Sequence, residues 1–217
     1  MGLPSAGSYP MPAAALPRSR AARRIDPERA ALLVHTMQNH FVGMFSAVFS
    51  PVVELVDDIV ALRELAGTLG IPGRLLGRTG RTTTGAARAR RRTVGIGYRG
   101  RSGPAAIIEP LAPRAGEHLL ARVRPNASLR SHLGRLLRSP ARDQLIVCRL
   151  HAHRGVLLTA ADALMNDIQP FVVADAVADL SAERHSLALG WAADSGVVCA
   201  TDRPLRDLVP HREPKNA

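Results

Sequence analysis

The sequence predicts an α/β protein: a three-layer α/β/α sandwich built on a parallel, Rossmann-like sheet. Two observations carry this expectation. Short apolar, β-prone runs alternate along the chain with longer stretches whose apolar residues recur at helical spacing. In the stretch from Asp143 to Ser181 this alternation is compressed into strand, turn, helix and strand. Two strands joined by one helix make a right-handed crossover, which sets the intervening turn at the carboxyl edge of a parallel sheet.

Ala30-Ala-Leu-Leu-Val34 reads as the first strand, with the polar cluster His35, Thr36, Gln38 and Asn39 at its carboxyl end. From Val52 to Leu69 apolar residues keep helical spacing while Glu54, Asp57, Asp58, Arg63 and Glu64 fall outside it, and Gly70 ends the helix. Gly73-Arg-Leu-Leu-Gly77 reads as a second strand, weakened by its two glycines. Leu119 to Val123, Leu129 to Arg138, Ser181 to Ala193 and Val197 to Ala200 are the further strand and helix candidates. Leu145 to Cys148 is a short buried strand, Val156 to Ile168 a helix, and Pro170 stops that helix before the strand Phe171 to Ala174.

The turn from Arg149 to Gly155 carries His151, His153 and Arg154 beside a helix N-terminus. Such an end favours anions, so three polar groups there mark a candidate site, against the alternative of a solvated basic turn.

The chain has 217 residues, 46% hydrophobic and 3% aromatic, enough for one domain with a full core. Expected boundaries are an extended N-terminal arm at 1–24, an α/β domain at 25–209 and a C-terminal tail at 210–217. The arm lacks the continuous apolar core of a signal peptide, and no run reaches the length of a membrane span, so a cytoplasmic protein is expected. Cys148 and Cys199 both lie in apolar strand-like runs, which suits buried reduced thiols better than a disulfide or a metal pair.

The formal net charge is +11 and rests on arginine, since Lys215 is the sole lysine. Basic residues outnumber acidic ones 24 to 9 as far as Thr159, and no acidic residue falls between Leu65 and Ile108, where nine arginines run from Arg74 to Arg101. The charge alone would suit nucleic acid. Tyr98 is the single aromatic there, however, and stacking on single strands uses several, so the block reads as a solvated loop.

Leu150-His-Ala-His-Arg-Gly155, Asn166-Asp-Ile-Gln-Pro-Phe171 and Val173-Ala-Asp-Ala-Val-Ala-Asp179 resemble the isochorismatase family, above all its phenazine- and siderophore-pathway members. Leu33-Val-His-Thr-Met-Gln-Asn-His-Phe41, Val94-Gly-Ile-Gly97, Leu111-Ala-Pro-Arg-Ala-Gly116 and the Pro-rich arm extend the likeness over nearly the whole chain. The resemblance implies a site that protonates a vinyl ether with an Asp after the first strand and a Lys after the third. Cysteine hydrolases of the superfamily add a Cys before the helix. Here those positions hold Thr36, Arg122 and Val156. Arg78, Pro125 and His151 likewise replace the family's Gln and two Tyr, while Arg124, His153, Gly155, Asp167, Asp175 and Asp179 are kept.

A threonine hydroxyl is not a useful general acid, and an arginine exchanges no proton at working pH. Three readings follow. The pocket is re-purposed for a small anionic or oxygen-rich metabolite, held by Arg78, Arg122 and Arg124, with His35 or His151 as acid or base. Alternatively the protein is a catalytically silent partner protein, or it is a hydrolase in which His35 replaces the acid. Gln38, Arg78, Arg124, His153, Arg154, Gly155 and Val156 are the expected binding positions; Thr36, Arg122, His151 and His35 are the catalytic ones. No metal or cofactor is expected, because His35, His40, His151 and His153 lack a completing Asp or Cys. The resemblance also implies a homodimer.

Overall fold

The structure, a computed structural model, describes residues 6–11, 16–19, 24–78, 103–114, 117–122, 142–195 and 198–200, with the backbone alone at 76, 78, 118–122 and 198–200. The expected helix from Leu129 to Arg138, the arginine block from Arg81 to Arg101, Arg124 and the tail at 210–217 lie outside the described residues.

The described elements are β1 (Ala30–His35), α1 (Asn39–Val42), α2 (Val52–Thr68), β2 (Gly73–Arg78), β3 (His118–Arg122), β4 (Gln144–Leu150), α3 (Leu157–Leu164), β5 (Gln169–Ala178), α4 (Ala182–Asp194) and β6 (Val198–Ala200). The six strands form one sheet in the order β3-β2-β1-β4-β5-β6, every neighbouring pair parallel. Sequence order reverses between β1 and β4. A crevice opens outside the carboxyl ends of strands at such a switch point.

β1 and β4 are buried at every residue because both faces of the sheet are covered. Leu32, Val34, Ile146, Cys148, Phe171 and Val173 pack on one face with Leu55, Ile59, Leu62 and Ala66 of α2. Ala31, Leu33, Leu145, Val147, Val172 and Ala174 pack on the other with Ala160 and Ala163 of α3 and Ala188, Leu189 and Ala192 of α4. This period of two in the strands, set against helices on both sides, is the three-layer sandwich. Each fully buried leucine or isoleucine contributes about 1.5–3 kcal/mol.

Helix ends follow local backbone chemistry. Gly70 takes a left-handed conformation (φ 69°), and the bonds Ile71 N–H to Ala66 O (2.8 Å) and Gly70 N–H to Gly67 O (3.1 Å) close α2. The same pair of bonds closes α3, from Ile168 N–H to Ala163 O (2.9 Å) and Asp167 N–H to Leu164 O (3.2 Å), with Asp167 at φ 58°. This corrects the expectation for that helix: it stops at Leu164, and Pro170 is not its terminator but a residue of β5 paired with Leu145. The helix also begins later than Val156, because residues Ala152–Val156 wind as a wider π-helical turn.

The arm is tied down where it is described. Ala6 N–H bonds Met44 O (2.9 Å), Gly7 N–H bonds Leu180 O (3.0 Å), and Tyr9 is 8% exposed. Among the described residues no helix is long and apolar enough to cross a membrane.

Candidate functional site

The carboxyl ends of the strands gather most of the candidate residues. Arg78 and Arg122 end β2 and β3 as register partners, and His35 on β1 is paired with Arg149 on β4. The chain then leaves both central strands through strained residues: Thr36 has φ 64° and His151 φ 61°. Left-handed backbone costs a residue with a Cβ roughly 1–2 kcal/mol, most for a β-branched one, so both turns are held by their surroundings.

After Thr36, the chain is fastened to residues 103–108. Gln38 Nε2 donates to Ala105 O (2.6 Å), Asn39 Nδ2 to Gly103 O (3.0 Å), and Ile108 N–H to Met37 O (3.0 Å). Gln38 is 2% exposed, so its amide anchors that segment at the rim.

His35 is fully buried and Thr36 is 1% exposed. The Thr36 hydroxyl lies 2.6 Å from His35 Nδ1, and Arg149 Nη1 lies 3.4 Å from His35 Nε2. Arg149 Nε also donates to Leu150 O (2.8 Å). The guanidinium sits against Gly155, where a Cβ would collide with it, so a side chain at 155 would oblige the head group to shift.

His151 stands edge-on to Phe41, ring centroids 5.6 Å apart. Burial, reinforced by the Arg149 cation, pushes its pKa down to about 4, so its imidazole is neutral at pH 7. His153 is fixed differently. Its backbone N–H and its Nδ1 both lie 2.6 Å from Asp179 Oδ2, and Asp179 Oδ1 accepts Leu180 N–H (2.7 Å). Nδ1 therefore donates to the buried carboxylate. Tyr9 closes this region: its hydroxyl donates to Asp179 O (2.9 Å), accepts Asp179 N–H (2.8 Å) and lies 3.3 Å from His185 Nδ1.

Of the remaining candidates, Arg154 is exposed, and Val156 is 1% exposed and packs with Ala152 and Ala160 in the core beneath the turn. The side chains of Arg78 and Arg122 lie outside the described residues, as does all of Arg124. Burial raises the Cys148 thiol well above its ordinary pKa, Asp175 adding to the effect, so it stays protonated. No group of three or more His, Cys, Asp or Glu among the described residues could hold a metal ion.

Sequence reasoning passed over Arg149 and Phe41 as site residues. For Arg149 the available signal was an arginine closing an apolar strand, with a glycine six positions on. Phe41 carries no mark in the sequence that separates it from a core aromatic. Chemically, the described centre offers a fixed cation, a hydroxyl, one neutral imidazole at the turn and one imidazole clamped to a carboxylate.

Comparison with known proteins agrees with this geometry. The isochorismatase domain model matches residues 30–203. The chain is 36% identical over 203 residues to the phenazine biosynthesis protein PhzD of Pseudomonas fluorescens, covering 93% of this chain and 97% of that one. It is 40% identical over 196 residues to the isochorismatase of Bacillus subtilis, covering 89% of this chain and 62% of that protein. Among solved structures, a cysteine hydrolase from Pseudomonas syringae superposes with a TM-score of 0.70 at 20% identity over 88% of this chain and 98% of that one, which shows a shared fold. With that fold, and with the family match spanning the sheet and the turn that form the site, the chain belongs to the isochorismatase family.

Proposed function

We propose that this isochorismatase-family protein holds a small anionic or oxygen-rich metabolite of secondary metabolism at the carboxyl ends of β1 and β4, and that it has lost vinyl-ether hydrolysis. The observation that carries the reading is the Thr36 hydroxyl, 2.6 Å from His35 Nδ1, at the position where the family resemblance expects a carboxylic acid. Protonating an enol-ether carbon needs an acid tuned near the working pH. His151, at about 4, is almost wholly unprotonated at pH 7, and His35 is fully buried with Arg149 against one ring nitrogen and Thr36 against the other. Relatives whose names place them in phenazine and enterobactin biosynthesis support the metabolic setting. The permanent cation of Arg149, with Arg78 and Arg122 closing the neighbouring strands, suits an anionic ligand. A homodimer is part of the same proposal.

A different reading has one observation in its favour. His35, Thr36, Gln38 and Arg149 are all at most 3% exposed, which suits a catalytically silent protein whose site serves as a structural or partner-binding core.

The test is turnover of isochorismate and of 2-amino-2-deoxyisochorismate by wild type and by Thr36→Asp, product being followed directly. Aspartate tolerates left-handed backbone better than threonine, so the variant suits φ 64°. No turnover by wild type and a gain on the order of 10²- to 10⁴-fold in the variant is the expected result. Turnover by wild type overturns the proposal. Silence from both, with no binding of either compound by calorimetry, favours the partner-protein reading.

A further inference from the structure

We propose a second anion site, at the amino edge of the sheet and apart from the site at its carboxyl ends: Arg74 and Arg142 together bind a phosphate group, as inorganic phosphate or as a phosphate monoester.

Arg74 is the second residue of β2, four residues and about 13 Å of strand below Arg78. Side chains alternate along a strand, and Leu75 packs with α2, so Arg74 belongs to the opposite face, beside Leu33 of β1. A cation is out of place there. Arg74 is 8% exposed and forms no ion pair among the described residues. Its Nη1 donates to Gly73 O (3.1 Å), while Nε is buried with no hydrogen-bond partner among the described residues. Nε and Nη2 form the edge with which a guanidinium grips an oxyanion through two parallel bonds.

A second guanidinium, not a carboxylate, stands close by. Arg142 Nη1 donates to Pro27 O (2.7 Å) and Ala30 O (2.6 Å). Ala30 lies two residues before Leu32, the register partner of Gly73, so strand geometry sets the two head groups about 8 Å apart, within the span of one tetrahedral anion. Burial, with the Arg142 cation adding to it, lowers the Arg74 pKa, yet an arginine keeps its charge at pH 7. The acids of this edge are engaged elsewhere: Asp26 and Asp143 act on Arg29, and Arg63 of α2 binds Glu117. The segment 123–141, which leads from β3 to Arg142, contains four arginines and no acidic residue. Two neighbouring like charges, one of them buried, are unfavourable without an anion. A phosphate dianion compensates both, where a single carboxylate compensates one.

The experiment titrates inorganic phosphate and glycerol 3-phosphate into wild type, Arg74→Met and Arg184→Gln by calorimetry, against chloride and acetate at matched ionic strength. Arg184 is exposed on α4, so its variant controls for net charge. Wild type and Arg184→Gln are expected to bind phosphate saturably at one site, and Arg74→Met to bind it about 10- to 100-fold more weakly. Arg74→Lys, which keeps the charge and loses the two-bond edge, should fall between them. Stability should also invert with the buffer. The urea midpoint of Arg74→Met is expected to equal or exceed that of wild type in chloride and to drop below it in phosphate. A midpoint lowered equally in both buffers marks a purely structural arginine and overturns the proposal. So does a wild type with no saturable response to either phosphate compound, a response to acetate that matches them, or an Arg74→Met that binds as wild type does. Tighter binding of glycerol 3-phosphate than of inorganic phosphate assigns the site to a monoester, and the reverse order assigns it to the free ion.

Discussion

His151 shows how a single residue links the site to the stability of the fold. Its folded pKa is about 4 against an ordinary 6.5, because burial and the Arg149 cation disfavour imidazolium, and the Asp179 carboxylate offsets them only in part. The unfolded chain therefore binds a proton below about 6.5 that the folded chain refuses until about 4. Stability is complete above 6.5 and falls as the pH drops through that window, by at most about 3 kcal/mol. Burial lowers His185 as well, which adds a contribution of the same sign. Urea midpoints measured between about pH 7 and about pH 4 should decline in wild type and decline distinctly less in His151→Gln. An equal decline in both would show that His151 is not the source.

At the scale of the element, the two closing turns of α2 and α3 make a matched pair. Both end on the same two hydrogen bonds, yet one places glycine and the other aspartate in the left-handed position. Gly70→Ala should cost about 1 kcal/mol, since the methyl group is strained at φ 69° whatever the space around it. Asp167→Gly removes that strain at φ 58° and should stabilise by about 0.5–1 kcal/mol. Opposite shifts in the urea midpoint are the check; a loss at Asp167 would mean that its side chain contributes more than its backbone strain costs. The π-helical turn after β4 belongs to the same scale. It carries His153 to Asp179 and Gly155 onto Arg149, so the element that opens α3 also builds the site.

Over the whole molecule, residues far apart in sequence meet at one end of the sheet. Tyr9 reaches across 170 positions to bond both backbone groups of Asp179, whose carboxylate holds His153. Burial raises the Tyr9 phenol well above its ordinary pKa, so it is a protonated donor at any working pH. Tyr9→Phe leaves a buried amide and a carbonyl without this partner and should cost about 1–3 kcal/mol in urea denaturation. A change within error would show that the arm is held by its backbone bonds to Met44, Leu180 and Ser50 alone.

The sequence by itself determined the alternating strands and helices, the end of α2 at Gly70, the polar cluster after β1 and the family, because apolar periodicity, glycine punctuation and motif spacing are local properties that a linear reading samples directly. Through resemblance it also led to the expectation that Thr36 stands where the family has a carboxylic acid. The end of α3 escaped it, since Asp167 in a left-handed turn has no compositional mark to match glycine, and Pro170 offered the stronger but misplaced signal. Only tertiary structure decided that Arg149 faces His35, that Gly155 makes room for that guanidinium, and that Tyr9 braces Asp179. Each of these depends on strand register and on close approach between segments, and neither quantity is carried by any one stretch of the chain.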